Sequence, residues 1–328
     1  MDSNEDRLIA RYFKPIARHP AALRLNDDAA VMTPPPRHDL VVTVDAIVSG
    51  VHFFHDDPPG SIARKALRVN LSDLAAKGAK PAGFLLTLSL PKGIGDRWLE
   101  AFAKALGGDA RAYGCPLLGG DTVYTPGPLS VSISAFGTVP TGKMVRRDGA
   151  AAGDCIVVTG TIGDAALGLQ LRRRPALAAR WRLNPAMRRH LVERYLVPEP
   201  RNAVALAVRR YASAAMDVSD GLAGDLGKLC RASGVAAHVE VDRVPLSKAA
   251  RAAISSRSKL LETALTGGDD YEIVATVPAR KLRAFRAAAK AAGVPLTQIG
   301  TVVAGRGAHF IDANGRELTF DRASFSHF

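Results

Sequence analysis

Cysteine is scarce in this chain. Cys115, Cys155 and Cys230 are the only three in 328 residues, far apart and without a CxxC pair. That spacing excludes a disulfide scaffold and a thiolate zinc centre, and it reads as reduced, buried thiols in a cytoplasmic protein. Long apolar runs are missing as well. AGFLLTLSLP at 82–91 is among the longest, and it is too short and too polar to span a bilayer, so no membrane partner is expected. The N-terminal MDSNEDRLIARYF is acidic first and has no apolar h-region, so a secretory signal is not expected. Aromatics make up only 6% of residues, which leaves little to stack on single-stranded nucleic acid. The net charge of +13 still invites a nucleic-acid reading. The basic residues are spread out, however, and the densest patch, LRRRPALAARWRLNPAMRRH at 171–190, reads as the solvated face of an Arg-rich helical hairpin. No nucleic-acid partner is expected.

Familiar nucleotide and hydrolase motifs are also lacking. There is no HRD, DFG or VAIK, no GxSxG, no HExxH, and no GxGxxG after a strand. GTVPTGKM at 137–144 matches GxxxxGK, but it puts Met144 where a magnesium-ligating hydroxyl belongs and a proline inside the loop, so it is a chance match.

Strands and helices alternate over the first 145 or so residues. The pattern predicts a short amphipathic helix over 5–18 and a β-branched strand over 39–53. A helix capped by Ser61 follows, with Ile62, Ala66, Val69 and Leu74 at helical spacing and Gly78 as its stop. Further strands are expected at 82–91, in PLLGGDT and in PLSVSISAFGTVP, with RWLEAFAKALGGDARAYG as a helix. The second half opens with CIVVTG, runs through a helical region at 164–210, and closes on short strands around an Asn-Gly hairpin at 314–315. These elements predict an α+β protein with mixed sheets in two domains, 1–148 and 149–328.

What the chain does have is acid at Gly-marked stops beside apolar runs. They are Asp27-Asp28, Asp45 in VVTVDA, Asp73 in NLSDLAAKGA, Asp121 in LLGGDT, Asp217 and Asp220 in MDVSDGL, and Asp269-Asp270 in TGGDDYEI. Carboxylates brought together repel one another unless a cation bridges them. Their number in a basic chain points to hard divalent metals, and through the metals to a polyphosphate. Phosphoryl transfer suits such a set, because it needs positioning and charge neutralisation more than covalent help. An Asp beside a Gly is also an ordinary turn former. Asp217 and Asp220 lie three apart at a strand-to-helix junction, so both can face one ion, or Asp220 is a plain helix N-cap. Asp73 lies within a predicted helix, either for function or on a solvated face.

The ordered set NDDAAV, TVDAIVSGVHF, KALRVNLSDLAAKGAKP, LLGGDT, VRRDGAAAGD, VTGTIGDAALGL, MDVSDGLAGDLGKL, TGGDDYEI and the terminal SHF resembles the thiamine-monophosphate kinase family, from about residue 5 to 328. That family belongs to an ATP-binding superfamily with aminoimidazole ribonucleotide synthetase, selenophosphate synthetase and a hydrogenase-maturation dehydratase. The resemblance implies direct, Mg²⁺-assisted in-line transfer of the ATP γ-phosphoryl group to thiamine monophosphate. It implies a homodimer whose N-terminal ATP-binding domains form a barrel, and a sandwich-like α/β C-terminal domain completing the nucleotide and substrate site. It implies Asp28, Asp45, Asp73, Asp121, Asp217 and Asp220 as metal carboxylates with Thr43 beside them, Asp217 and Asp220 being the catalytic pair. Gly120, Asp121, Arg147 and Ser219 would contact ATP, and His52, Asp269 and Phe325 the substrate.

The chain departs from the family's habit at four places. Asp269 stands for a Glu, Phe325 for a Trp, Val44 for a Thr that would add a hydroxyl to the metal region, and Ala103 for an aromatic that contacts adenine. Selenophosphate synthetase chemistry needs an early reactive Cys, and none precedes Cys115; the maturation protein ends in a Cys, and this chain ends Ser326-His327-Phe328.

Overall fold

The computed structural model describes residues 4–325. The chain folds as two compact units. One is built on the residues up to Leu74 with Ala79–Gly142, and the other on Ala75–Gly78 with Lys143 onward.

In the first unit, β1 (His38–Val48) shows a strand's period of two: Leu40, Val42 and Val44 are exposed, whereas Val41 and Ile47 are buried. It stops five residues short of the expected end, because the Val51 and His52 N–H groups turn back onto the Val48 carbonyl. The expected helix over 5–18 is shorter and wider. After α1 (Asn4–Leu8) comes a π turn over Ile9–Phe13 that buries Tyr12 and Phe13. The next helix, α2 (Pro59–Ala76), begins two residues before Ser61, with proline in its first turn, where the missing N–H costs nothing. Ser61 is therefore not a cap: its hydroxyl donates to the Pro58 carbonyl at 2.7 Å. Ile62, Ala66, Val69 and Leu74 are all buried, as their spacing predicts.

β2 (Lys80–Leu90), α3 (Asp96–Ala112), β3 (Leu117–Tyr124) and β4 (Ser130–Pro140) complete the unit. Its four-stranded sheet has the order β1-β4-β2-β3, with only β2 and β3 parallel. Val41, Ile47, Phe84, Leu86, Leu88 and Ile133 share one core with Leu67 and Leu71 of α2 and Phe102 and Leu106 of α3. The near-match GTVPTGKM is the end of β4 and the turn after it, where Gly142 N–H binds Asp39 at 2.7 Å.

The second unit runs β5 (Cys155–Thr159), α4 (Asp164–Arg173), α5 (Leu177–Arg180), α6 (Pro185–Leu196), α7 (Ala205–Tyr211), β6 (Ala214–Val218), α8 (Leu222–Ser233) and β7 (Ala236–Glu240). It continues with α9 (Lys248–Ser256), α10 (Leu260–Thr266), β8 (Glu272–Val277), α11 (Ala279–Ala291), β9 (Leu296–Val303) and β10 (Gly307–Ile311). The six-stranded sheet has the order β10-β7-β9-β5-β8-β6, and only β7 and β10 run parallel. Every position of β5, β6 and β8 is buried, because both sheet faces are covered. Ile156, Val158, Met216 and Val274 pack with α8, whereas Val157, Ala215, Ile273 and Ala275 pack with α7 and α11. That is why these strands read as unbroken apolar runs without alternation. The Asn-Gly signal is a turn whose N–H groups at Asn314 and Arg316 bind Asp312, but beyond it only one bridge, Ile311 to Glu317, extends the pairing.

Candidate functional site

In the first unit, Asp27, Asp28, Gly120, Asp121, Thr87 and Ser134 border one cavity of about 680 Å³. Asp121 is an exposed residue of the edge strand β3, in register with Thr87 of β2. Gly120 allows that strand pairing, since a Cβ there would lie 1.9 Å from the Leu86 carbonyl oxygen. Asp28 is held in its loop by its own N–H, which donates to Asp27 at 2.8 Å.

Thr43, Asp45 and Asp73 form a second place. The Thr43 hydroxyl donates to Asp73 Oδ2 at 2.5 Å, which ties β1 to α2. Asp73 is half-buried against that strand, so the solvated-face reading is dropped. Asp45 shares the side of β1 that carries Thr43, Val41 and Ile47. Val44 is 61% exposed on the other side. A threonine at 44 would therefore point away from Thr43, Asp45 and Asp73, and its absence takes no hydroxyl from them. Ala103, on α3, is buried with Phe102 in the core of the first unit, so its own side chain is not open to a ligand. His52 accepts the Val48 N–H on Nδ1 at 3.0 Å, which leaves the proton of its neutral ring on Nε2. Its carbonyl accepts the buried Lys65 ammonium at 2.9 Å.

In the second unit, Asp217 is buried at the end of β6 opposite Ile273. Asp220 is not a helix cap. The residue capping α8 is Gly221, with no side-chain cap, and the Asp220 carboxylate instead receives Lys228 Nζ at 2.5 Å. Gly221 has φ 117°, and a Cβ there would come within 2.5 Å of the Thr266 backbone. Asp269 N–H donates to the Ser219 carbonyl at 2.8 Å, and Phe325 N–H donates to the Asp220 carbonyl at 3.0 Å. Ser219, Asp220, Asp269 and Phe325 are thus brought together. Asp269 (φ 74°) and Tyr271 (φ 51°) are both left-handed. Asp tolerates that region and Tyr does not, so the turn stores strain of roughly 1–3 kcal/mol. Arg147 is exposed, with its carbonyl fixed by the Ser233 hydroxyl at 2.7 Å, while the neighbouring Arg146 pairs with Asp148. Ser326, His327 and Phe328 of the SHF motif lie outside the described residues.

The structure adds a supporting network that the sequence did not show, and it removes Asp270, grouped above with Asp269 among the acidic stops, from the acids open to a cation. Asp270 is fully buried and accepts the Gly163 N–H at 2.6 Å and the Ala165 N–H at 3.3 Å; burial pushes its carboxyl well above the usual range. Glu272 is equally buried and takes Arg194 at 2.9 Å, Arg201 at 2.6 Å and the Thr159 hydroxyl at 2.7 Å. Arg194 also binds the Asp270 carbonyl at 3.0 Å, so this network fixes the strand that leaves the Asp269 turn. Burial works against ionised Asp164, but hydrogen bonds from His190, Ser247 and Thr161 outweigh it and hold the carboxyl below its usual range. The one readable clue was Asp225 and Lys228, three apart on a predicted helix. The carboxylates stay dispersed: among the described residues no three His, Cys, Asp or Glu side chains gather closely enough to hold a metal ion.

Comparison with known proteins adds the following. The family described as AIR synthase related protein matches through its N-terminal domain at residues 26–139 and its C-terminal domain at residues 151–312. A thiamine-monophosphate kinase of Caulobacter vibrioides is 43% identical over 97% of this chain and 89% of its own length. The crystal structure of thiamine-monophosphate kinase from Stenotrophomonas maltophilia superposes with a TM-score of 0.83 at 41% identity, covering 95% of this chain and 96% of that one. A structure described as AaThiL complexed with AMPPCP and TMP superposes with a TM-score of 0.77 at 29% identity, covering 90% of this chain and 89% of that one.

Proposed function

We propose a reaction from one premise: the chain belongs to the thiamine-monophosphate kinase family of AIR synthase related proteins. It phosphorylates thiamine monophosphate with ATP, giving thiamine diphosphate and ADP. The observation that carries this reading is the match, over 90% of the chain, to a relative holding AMPPCP and TMP, the first being ATP with an uncleavable β–γ link.

The chemistry asks little covalent work of the protein. A phosphate monoester has its second pKa near 6, so the acceptor is already a nucleophile at neutral pH and no side chain must remove its proton. An acceptor oxygen attacks the γ-phosphorus, the bond to the β–γ bridging oxygen breaks in line, and ADP leaves with the electron pair. Positioning and charge neutralisation remain to be supplied.

We assign Asp28 and Asp121, which border the first-unit cavity, to metal ions that would carry the nucleotide phosphates, with Asp121 and the Gly120 backbone beside the ATP. The donors at Asp28, Thr43, Asp45, Asp73 and Asp121 are all carboxylate or hydroxyl oxygens, a set that fits Mg²⁺ and not a soft metal. Dispersal suits that ion too, since Mg²⁺ takes one or two carboxylates and completes its shell with water and phosphate oxygens. When bound, Mg²⁺ would offset charge on the transferring group. In the second unit, Asp217 and Asp220 take the same role, and Ser219 and the planar fork of Arg147 contact ATP. His52, Asp269 and Phe325 serve the acceptor; the exposed Phe325 ring supplies a stacking face for thiamine, with less area than a tryptophan.

The working unit is a homodimer. In support, Leu40, Val42 and Val44 leave an apolar row, 41–61% exposed, on an edge strand of the first-unit sheet. Two such sheets paired through their edges would make the expected barrel. The compartment is the cytoplasm, in keeping with three free, buried cysteines. Among the described residues no helix is long and apolar enough to cross a membrane.

The test is product formation by the purified protein with ATP, Mg²⁺ and thiamine monophosphate. Metal-dependent thiamine diphosphate is the expected result. ATP consumption without that product would move the search to another acceptor.

A further inference from the structure

Lys228 lies within the stretch MDVSDGLAGDLGKL but is given no role by the resemblance, yet its ammonium holds the carboxylate proposed above to serve the reaction. Its Nζ lies 2.5 Å from Asp220 Oδ2 and 2.8 Å from Asp225 Oδ1. The other Asp225 oxygen accepts the Asp220 N–H at 2.8 Å. Three residues thus close a ring in which Asp225 grips both the backbone of Asp220 and the cation on its side chain. Exposure is graded through the ring, with Asp220 at 35%, Lys228 at 33% and Asp225 at 0%.

Each part depends on the others. Burial pushes the Asp225 carboxyl up, and the Lys228 hydrogen bond works against that rise. Burial likewise opposes the Lys228 charge, but its bonds to Asp220 and Asp225 prevail and hold its pKa above the ordinary value. Without the ammonium, Asp225 would be an unpaired buried anion. Asp220 would then be free to turn about its side-chain bonds, three residues from the buried Asp217.

We propose that Lys228 is a positioning residue for Asp220: a resident counter-cation that fixes the carboxylate in one orientation and weakens its hold on a divalent cation. The proposal rests on the phosphoryl-transfer reading above. A carboxylate has about four lone-pair sites, so an ammonium on one oxygen leaves room for a metal on the other. The ammonium nearby also repels that metal, so the site binds the cation less tightly and in a better-defined geometry.

The experiment measures Mn²⁺ binding by electron paramagnetic resonance, with AMPPCP present, for the parent, Lys228→Met, Asp220→Asn and Lys228→Met combined with Asp220→Asn. A double variant, Asp225→Asn with Lys228→Met, removes the buried charge along with its partner and guards against simple misfolding. Lys228→Met, alone or in the double variant, is expected to tighten Mn²⁺ at least about threefold and to lower kcat at least about tenfold. The Mn²⁺ effect should vanish when Asp220→Asn is already present. Folded variants with parental Mn²⁺ affinity, or a Mn²⁺ effect that persists without the Asp220 carboxylate, would overturn the proposal. The Mn²⁺ readout stands apart from turnover. A parent that binds Mn²⁺ with AMPPCP but makes no thiamine diphosphate would refute the function and leave the Lys228 comparison measurable.

Discussion

Asp121 and Asp270 each follow a pair of glycines within a few residues, and their fates differ. Asp121, after Gly119-Gly120, is exposed on an edge strand beside a cavity of about 680 Å³. Asp270, after Gly267-Gly268-Asp269, is fully buried and spends its oxygens on two N–H groups at the start of α4. The contrast recurs elsewhere, although the first unit also buries Asp57 and Asp109 against their own donors. In the first, the acids at Asp28 and Asp121 keep their access to solvent, and Asp73 takes one hydroxyl. In the second, Asp164, Asp225, Asp270 and Glu272 are sealed inside networks of donors. A buried carboxylate must be satisfied by donors of the protein or by a bound cation, the second being the role proposed for Asp217, whereas a half-exposed one can wait for a cation in water. Asp220 lies between these extremes, exposed enough to serve a ligand and held by an internal ammonium.

The largest effect should come from Asp220→Asn. It is expected to reduce thiamine diphosphate formation by about 100-fold or more while the melting temperature stays within about 2 °C of the parent. Near-parental turnover would place Asp220 with the scaffold acids and break the comparison. Glu272→Gln should do the reverse. It leaves Arg194 and Arg201 facing a neutral amide in the interior and should cost roughly 3–5 kcal/mol in urea unfolding, with turnover per folded molecule preserved. A stable but inactive Glu272→Gln protein would move that acid into the site. Asp269→Glu is milder. The longer side chain extends reach towards the acceptor but sits less easily at φ 74°, so KM for thiamine monophosphate should change by less than about threefold. Complete loss would mean that the acceptor pocket is built differently.

The smallest expected effect concerns pH. The hydrogen bond to Asp164 raises the His190 pKa above the ordinary imidazole value of about 6.5. A raised folded-state pKa means that the stabilisation is fully present below about 6.5 and is lost as pH rises through the folded value. His190 is 44% exposed, so solvent screening keeps the effect under about 1 kcal/mol. His190→Asn should therefore lower the melting temperature slightly at pH 6 and leave it unchanged at pH 9. An equal loss at both values would assign the residue a packing role only.

The sequence carried what short-range periodicity can carry. The buried face of α2, the alternation in β1 and the mixed α+β class could all be read, because each depends on neighbours within a turn or a strand. Helix starts were less legible: a serine after Pro58-Pro59-Gly60 looks like a cap, yet Pro59 itself opens the helix. The period of two also predicts that Val44 and Thr43 face opposite sides, so residue 44 could have been set apart from the donors without a structure. What could not be read were contacts between distant segments. Thr43 meets Asp73 across 30 residues, and Arg201 meets Glu272 across 71. Nothing in GGDDYE distinguishes its strained, half-exposed first acid from the two sealed inside.

The most direct test of the account follows the phosphorus. With ATP labelled at the γ position, a single turnover should place the label in thiamine diphosphate, one for each ADP formed, with none retained on the protein. Label found on the protein, or released as inorganic phosphate with thiamine monophosphate unchanged, would contradict direct transfer between the two bound phosphates.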